Sequence, residues 1–273
     1  MRKNRLKSTM GTHRKPLVSI VVVTHEHKEY IDACITSLFS QRSVSFEVVL
    51  VDNASYDGTA AYVRKHFPNV KVIAQNKRYG FATNVNTGIR RSRGEYVLVL
   101  NPDTYMHQGA LVTLIRCFRL HPRAGICGPK LINPDGSVQM SYRNFPTWRT
   151  ALFRRTPLRR WFPLAPLVQK HLNVGKNHHR AQRAEWMLGA CLLLRRTMLN
   201  DIGLFDEGYR LYVEDIDLCL RAHLAGWEVW YEPGAVVTHE HVAKSDRTFL
   251  SLYSYYHTTS MLRYALKYWR RVL

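Results

Sequence analysis

The chain has 273 residues, 46% of them hydrophobic, enough for one large domain or a domain with an appendage, and no apolar run approaches the ~20 residues that cross a bilayer. Its 40 Lys and Arg against 20 Asp and Glu leave a formal charge of +20, which points to an anionic partner (nucleic acid, anionic lipid or a phosphorylated substrate) rather than a cationic one. Cys34, Cys117, Cys127, Cys191 and Cys219 are odd in number and scattered, with no C-x-x-C pair for zinc or redox chemistry, and read as reduced core thiols of a cytosolic protein.

Residues 1–16, with Arg2, Lys3, Arg5, Lys7, Arg14 and Lys15, read as a flexible basic arm; no apolar stretch makes them a signal peptide. Strands and helices then alternate. Leu17–Val23 is a predicted strand, and Tyr30, Ile31, Cys34, Ile35 and Leu38 recur at helical spacing. Phe46–Val51, Val70–Ala74 and Glu95–Leu100 are further strands, followed by helices at Thr59–Phe67, Phe81–Arg91 and Gly109–Leu120. Continuous apolar strands separated by helices predict an α/β fold with a doubly wound, mostly parallel sheet flanked by helices.

Beyond residue 125 the pattern changes. Gly125–Ile132 is a predicted strand and Asn133-Pro134-Asp135-Gly136 a turn. Residues 142–183 are rich in Arg, Pro and Trp and give no clear element. Met187–Leu194 reads as a buried strand, Val213–Leu224 as a helix and Trp227–Tyr231 as a short strand. Residues 248–270 form an amphipathic C-terminal helix, so the chain divides into 1–16, 17–245 and 246–273.

Three strands end in polar residues at what would be the carboxyl edge of the sheet, where open α/β folds bind ligands. Tyr96–Leu100 runs into Asn101-Pro102-Asp103, and Pro102 cannot continue a central ladder. A carboxylate at Asp103 can hold a divalent cation, and through it a diphosphate. Val48–Val51 delivers Asp52 and Asn53, and a carboxylate at 52 accepts the imide N–H of uracil or thymine. The first strand ends in Thr24-His25-Glu26. Each aspartate alone serves equally well as a turn or helix cap; three together are harder to obtain by chance.

Glu214-Asp215-Ile216-Asp217 opens the later helix, where the dipole keeps a carboxylate ionised, as a general base at Asp215 must be. Acidic bias in a first turn is also ordinary, but these acids are set among Leu211, Tyr212, Val213, Ile216 and Leu218. His239 and His241 follow the strand-like Ala235-Val236-Val237 as candidate metal ligands or phosphate donors, a structural histidine being the commoner role. Gly189-Ala190-Cys191 offers small residues where a substrate can approach the backbone, or simple core packing.

Taken in order, these segments resemble the inverting family 2 glycosyltransferases of GT-A fold, and rhamnosyltransferase-like members in particular. The resemblance runs from about residue 17 to 241 and rests on Val18–Thr24, Val51-Asp52-Asn53-Ala54-Ser55-Tyr56-Asp57-Gly58, Gly80-Phe81-Ala82, Asn86-Thr87-Gly88-Ile89 and Gly94-Glu95-Tyr96 to Asn101-Pro102-Asp103. It continues through Gly128-Pro129-Lys130-Leu131, Asn133–Ser137, Gly189-Ala190-Cys191, Gly203-Leu204-Phe205-Asp206-Glu207, Glu214–Leu218 and Gly226-Trp227.

The resemblance implies a GT-A domain over 17–245, with a nucleotide-sugar half at 17–124 and an acceptor half at 125–245. It implies that Thr24, Glu26, Asp52, Asn53, Asn86, Asn101 and Gly189 line the site of a dTDP- or UDP-sugar. Asp103 and His239 would hold Mg2+ or Mn2+, and Asp215, with Glu214 beside it, would be the base. Asn101 replaces the first aspartate of the family's D-x-D element, leaving Asp103 as its metal-binding carboxylate, and Glu26 stands where Asn is usual. The implied reaction is metal-assisted direct displacement onto a hydroxyl of a glycan or lipid-linked acceptor, in cell-surface polysaccharide synthesis.

The basic excess suits a cytoplasmic protein peripheral to the inner face of an anionic membrane. Trp148, Phe153, Trp161 and Phe162 among Arg149, Arg154, Arg155, Arg159 and Arg160 read as an interfacial segment, or equally as a solvated basic face. A basic nucleic-acid-binding protein is the rival from another class, but it leaves the strand-end aspartates unexplained. An inactive transferase-like scaffold is the other alternative; retention of both Asp103 and Asp215 speaks against it.

Overall fold

The computed structural model describes residues 15–147, 166–240 and 252–272. Most of the basic arm, the interfacial segment beginning at Trp148 and His241 lie outside these residues.

The first half alternates strand and helix. Strands β1 (Val18–Thr24), β2 (Phe46–Asp52), β3 (Val70–Ala74) and β4 (Tyr96–Leu100) are joined through helices α1 (Lys28–Phe39), α2 (Thr59–His66) and α3 (Phe81–Arg90). They lie side by side in the order β3-β2-β1-β4 and are all parallel. The strands read as unbroken apolar runs because both sheet faces are covered. Along β1, Val18, Ile20 and Val22 enter one core with Ile31, Ile35 and Leu38 of α1, while Val21 and Val23 enter a second with Ala82, Val85 and Ile89 of α3. The two-residue strand period thus feeds two cores with one sequence. Gly88 lets α3 press onto β1: a Cβ there would come within 2.3 Å of Val21 Cγ1.

Beyond β4 come β5 (Thr104–Met106), α4 (Ala110–Leu120), β6 (Ala124–Ile132) and β7 (Tyr142–Arg143). Then follow α5 (Pro166–Leu172), β8 (Gln182–Arg183), β9 (Trp186–Met187), β10 (Cys191–Arg195), α6 (Arg196–Ile202), α7 (Glu214–Leu224), β11 (Glu228–His239) and α8 (Leu252–Val272). The sheet continues across β4 as β10-β6-β11-β5, and β8 pairs with β11.

Three expectations change. The strand expected at Met187–Leu194 is two strands: β9 pairs with β7, and β10 runs antiparallel between β4 and β6. The chain turns at Leu188–Ala190, where Gly189 packs against Asp215. The strand expected at Trp227–Tyr231 extends to His239, and it absorbs Pro233 and Gly234 through a register shift between Glu232 and Val236. The C-terminal helix spans Leu252–Val272 and breaks its regular geometry at Tyr268 (φ −124°, ψ 21°). No described helix is long and apolar enough to cross a membrane.

Candidate active site

Sheet register gathers the polar strand ends on one edge. Thr24 of β1 is level with Asp52 of β2, and Val22 is level with Leu100 of β4, so the residues after Leu100 emerge beside Thr24. The Asn101 N–H donates to Ala190 O (2.9 Å), which brings the Gly189-Ala190 turn to the same edge. His239 of β11 pairs with Thr104, and the Glu240 N–H donates to Asp103 O (2.9 Å). Sequence positions from 24 to 239 thus meet where the order reverses around β1 and β4, the place for a ligand in a doubly wound sheet.

Asp103 and His239 face each other, with Nε2 of the imidazole 3.6 Å from Oδ1 of the carboxylate. Gln139 sets the ring. Its amide NH2 donates to Asn133 Oδ1 (2.7 Å) and to His239 O (2.8 Å), which turns Oε1 toward His239 Nδ1 at 2.9 Å. The Nδ1 proton is thereby assigned to Gln139, and Nε2 is the nitrogen presented to Asp103. Of the two expected cations, a carboxylate oxygen with an imidazole nitrogen suits Mn2+ better than Mg2+, which favours an all-oxygen shell. Among the described residues no group of three or more His, Cys, Asp or Glu could hold an ion. These two donors therefore fit a cation whose remaining positions are filled by diphosphate oxygens and water.

The residues expected around a donor divide by what their side chains do. Asp52 is buried and accepts the Ser55 hydroxyl (2.5 Å) and the Ser55 N–H (3.2 Å). The Asn53 amide is committed to the backbone of Tyr79, accepting its N–H (2.8 Å) and donating to its O (3.0 Å), so it positions the loop before α3. Asn86 is buried on α3 and makes all its bonds to the 205–207 loop: Phe205 O (2.8 Å), Phe205 N–H (3.1 Å) and Glu207 Oε1 (2.8 Å). Thr24 is buried with its hydroxyl making no hydrogen bond among the described residues. Glu26 is exposed with φ +57°, and its N–H donates to Ser55 Oγ (2.9 Å). Asn101 binds through its backbone: its carbonyl accepts the Thr104 hydroxyl at 2.6 Å.

Helix α7 presents the acidic pair. Asp215 Oδ2 accepts the Gly189 N–H (2.9 Å) and Oδ1 accepts the Ile216 N–H (2.9 Å). A Cβ on Gly189 would lie 3.4 Å from that same Oδ2, an ordinary van der Waals contact, so the approach does not by itself require glycine. Burial pushes the Asp215 carboxyl up, and the two N–H groups, together with the Arg143 guanidinium, oppose it. Glu214 has only its own backbone N–H to oppose burial. Burial first, and then the neighbouring Asp215, push it up to about 8, and its buried Oε2 makes no hydrogen bond among the described residues. Glu214 is thus the side of this coupled pair that holds a proton more readily, and Asp215 the side whose charged form the N–H donors favour.

The turn that aims this pair is strained. Tyr212 (φ +67°) and Val213 (φ +73°) both lie in the left-handed region, which a β-branched valine rarely enters. Two residues beyond Asp215, fully buried Asp217 accepts from Arg221 Nε (2.8 Å), Lys267 Nζ (2.7 Å), Tyr268 OH (2.9 Å) and Tyr209 OH (3.2 Å). Sequence reasoning missed the roles of Gln139, Arg143 and Asp217. The pattern gave a signal only for Asp217, which sits in the acidic run.

Residues 19–201 match the family described as Glycosyl transferase family 2. The chain is 30% identical over 264 residues to the N-acetylglucosaminyl-diphospho-decaprenol L-rhamnosyltransferase of Mycobacterium tuberculosis strain CDC 1551, covering 90% of this chain and 83% of that protein. It is 26% identical over 268 residues to the rhamnosyltransferase WbbL of Escherichia coli K12, covering 94% and 95% of the two chains. The solved structure of GalNAc-T7 with UDP, GalNAc and Mn2+ shares the fold at a TM-score of 0.69 and 16% identity, covering 94% of this chain and 49% of that one.

Proposed function

The chain belongs to glycosyl transferase family 2, with the GT-A fold, and we propose that it transfers rhamnose with inversion from a nucleoside diphosphate to a hydroxyl of a lipid-linked glycan acceptor. The sugar and the acceptor class follow the printed activities of the relatives. The observation that carries the mechanism is the placement of Asp215, held by two backbone N–H groups on the sheet edge that also bears Asp103 and His239.

Asp215 accepts the acceptor's hydroxyl proton as that oxygen attacks the anomeric carbon, on the face opposite the departing diphosphate. The N–H groups of Gly189 and Ile216 hold the carboxylate in one orientation before the proton arrives. Glu214 keeps its own proton, which spares the site a second negative charge. Asp103 and His239 would hold Mg2+ or Mn2+, which when bound supplies Lewis-acid stabilisation of the leaving diphosphate. Asp52 is the acceptor offered to the imide N–H of a thymine or uracil ring, as in a dTDP- or UDP-sugar. The five buried free cysteines suit work in a reducing cytoplasm, facing the inner leaflet where a lipid-linked acceptor would be elongated into a cell-surface polysaccharide.

Asp215→Asn is expected to lower transfer by about a hundredfold or more while dTDP- or UDP-sugar and Mn2+ still bind by calorimetry. Transfer at the wild-type rate by this variant would mean that another group is the base. The net charge also suits nucleic acid, but a matched glycosyltransferase family and the acid-lined sheet edge do not favour that reading.

A further inference from the structure

Helix α8 is apolar on two opposite faces. Its inner face is used: Ser260 (4% exposed), Tyr264 (1%) and Tyr268 (8%) are buried, and Ser260 Oγ donates to Leu211 O at 2.9 Å. Ion pairs fix its rotation, since Arg263 and Lys267 reach Asp206 (3.1 and 2.8 Å) and Lys267 reaches Asp217 (2.7 Å). The helix therefore cannot roll to hide its other side. On that side Leu252, Tyr255, Leu262 and Leu266 fall within an arc of about 80° at 100° per residue. Trp269 follows just past the break at Tyr268, and these five side chains are 55–67% exposed. Single exposed apolar residues are ordinary, but a row of five along one helix marks a contact surface.

We propose that this stripe is the face by which the protein lies on an anionic lipid bilayer. Arg263 and Lys267 are spent on Asp206 and Asp217, but the segment 252–272 also contains Arg270 and Arg271 and no acid, in a chain of formal charge +20. A cationic helix with aliphatic residues between Tyr255 and Trp269 suits the boundary between headgroups and acyl chains. It is too polar to span the membrane and so lies in its plane. A second copy of the chain is the poorer occupant, because pairing through the stripe would set two chains of formal charge +20 against each other. The consequence for the site is orientation. Asp217, which clamps α8, is two residues from Asp215 on α7, so contact through α8 fixes the acidic pair relative to the membrane surface.

The inference goes beyond the catalytic reading, and its test needs no sugar transfer. The full chain is sedimented with vesicles of phosphatidylcholine alone and of phosphatidylcholine with phosphatidylglycerol. Binding to the anionic vesicles is expected to exceed that to the neutral ones by about tenfold or more, and Leu252→Gln/Leu262→Gln/Leu266→Gln should lower it by about tenfold or more. The triple variant should keep its thermal midpoint and its activity on a water-soluble acceptor, since the altered side chains are exposed and outside the site. Three results would overturn the proposal: equal binding to both vesicle types, a triple variant that sediments like wild type, or a wild-type dimer in equilibrium sedimentation that the triple variant breaks.

Discussion

Gln139 acts on the proposed cation only through another side chain. An imidazole that binds a cation has one proton to place on two nitrogens, and the orientation of Gln139 places it on Nδ1 of His239. The amide cannot flip cheaply, because both its donors are already engaged by Asn133 Oδ1 and His239 O. Gln139→Leu is expected to weaken Mn2+ binding in the presence of dTDP or UDP by about tenfold, read by calorimetry or by the free-Mn2+ resonance signal. Unaltered affinity would mean that the ring holds its orientation without Gln139. Residues of this kind are the least legible in the sequence. Asp103 and Asp215 stood out because a strand end and a helix start are local patterns, whereas Gln139 and His239 are 100 positions apart. Asn53 and Asn86 show the converse. Both sit in motifs that resemble the family's, and both spend their amides on backbone, one holding the loop before α3 and the other the loop after α6. Glu26 has a physical cost at its position, since a backbone at φ +57° is more readily adopted by asparagine than by glutamate.

At the scale of elements, α7 is held at its N-terminal end. Its entry passes through the strained Tyr212-Val213 turn, and its first turn is clamped to α8 through Asp217. Strain of about 1–3 kcal/mol per left-handed residue persists only where packing over-determines the chain. Here the packing includes buried Val213, Tyr209, Tyr264 and Tyr268 in one cluster. Asp217→Ala would leave the Lys267 ammonium and the Tyr209 and Tyr268 hydroxyls without this acceptor. It should cost about 3–5 kcal/mol in denaturant unfolding, the range for breaking a buried pair, and should expose the α8 segment to trypsin. An unchanged unfolding midpoint would show that apolar packing and the Asp206 ion pairs hold α8 without Asp217. Activity should fall with stability, since α7 and α8 share the clamp.

For the molecule as a whole, the parallel half of the sheet was legible because fully covered strands carry apolar residues on both faces, a pattern no half-exposed strand shows. The antiparallel half was not. β5, β8 and β9 are two or three residues long and are defined by partners far along the chain, and β11 hides behind Pro233 and Gly234. The titration of stability shows how the buried acids act on the whole fold. Burial alone would raise Asp206, but Lys267, the Gly208 N–H and Arg263 override it and hold the carboxyl at about 2, so its contribution is present above its ordinary value of 3.8 and is lost as pH falls toward 2. Glu214 works in the opposite sense. Its folded-state value of about 8 lies above the ordinary 4.5, so between these the folded protein keeps a proton that the unfolded chain has released. Stability then declines with rising pH across that window, by up to about 1.4 kcal/mol per pH unit for one group, and levels off above it. Glu214→Gln removes the ionisation but keeps the size of the side chain. Its unfolding free energy relative to wild type should therefore climb from about pH 4.5 to about pH 8 and then stay constant, measured by urea unfolding at a series of pH values. A difference that is flat across this range would mean that Glu214 is ionised in the native protein and that the proton of the acidic pair lies on Asp215 instead.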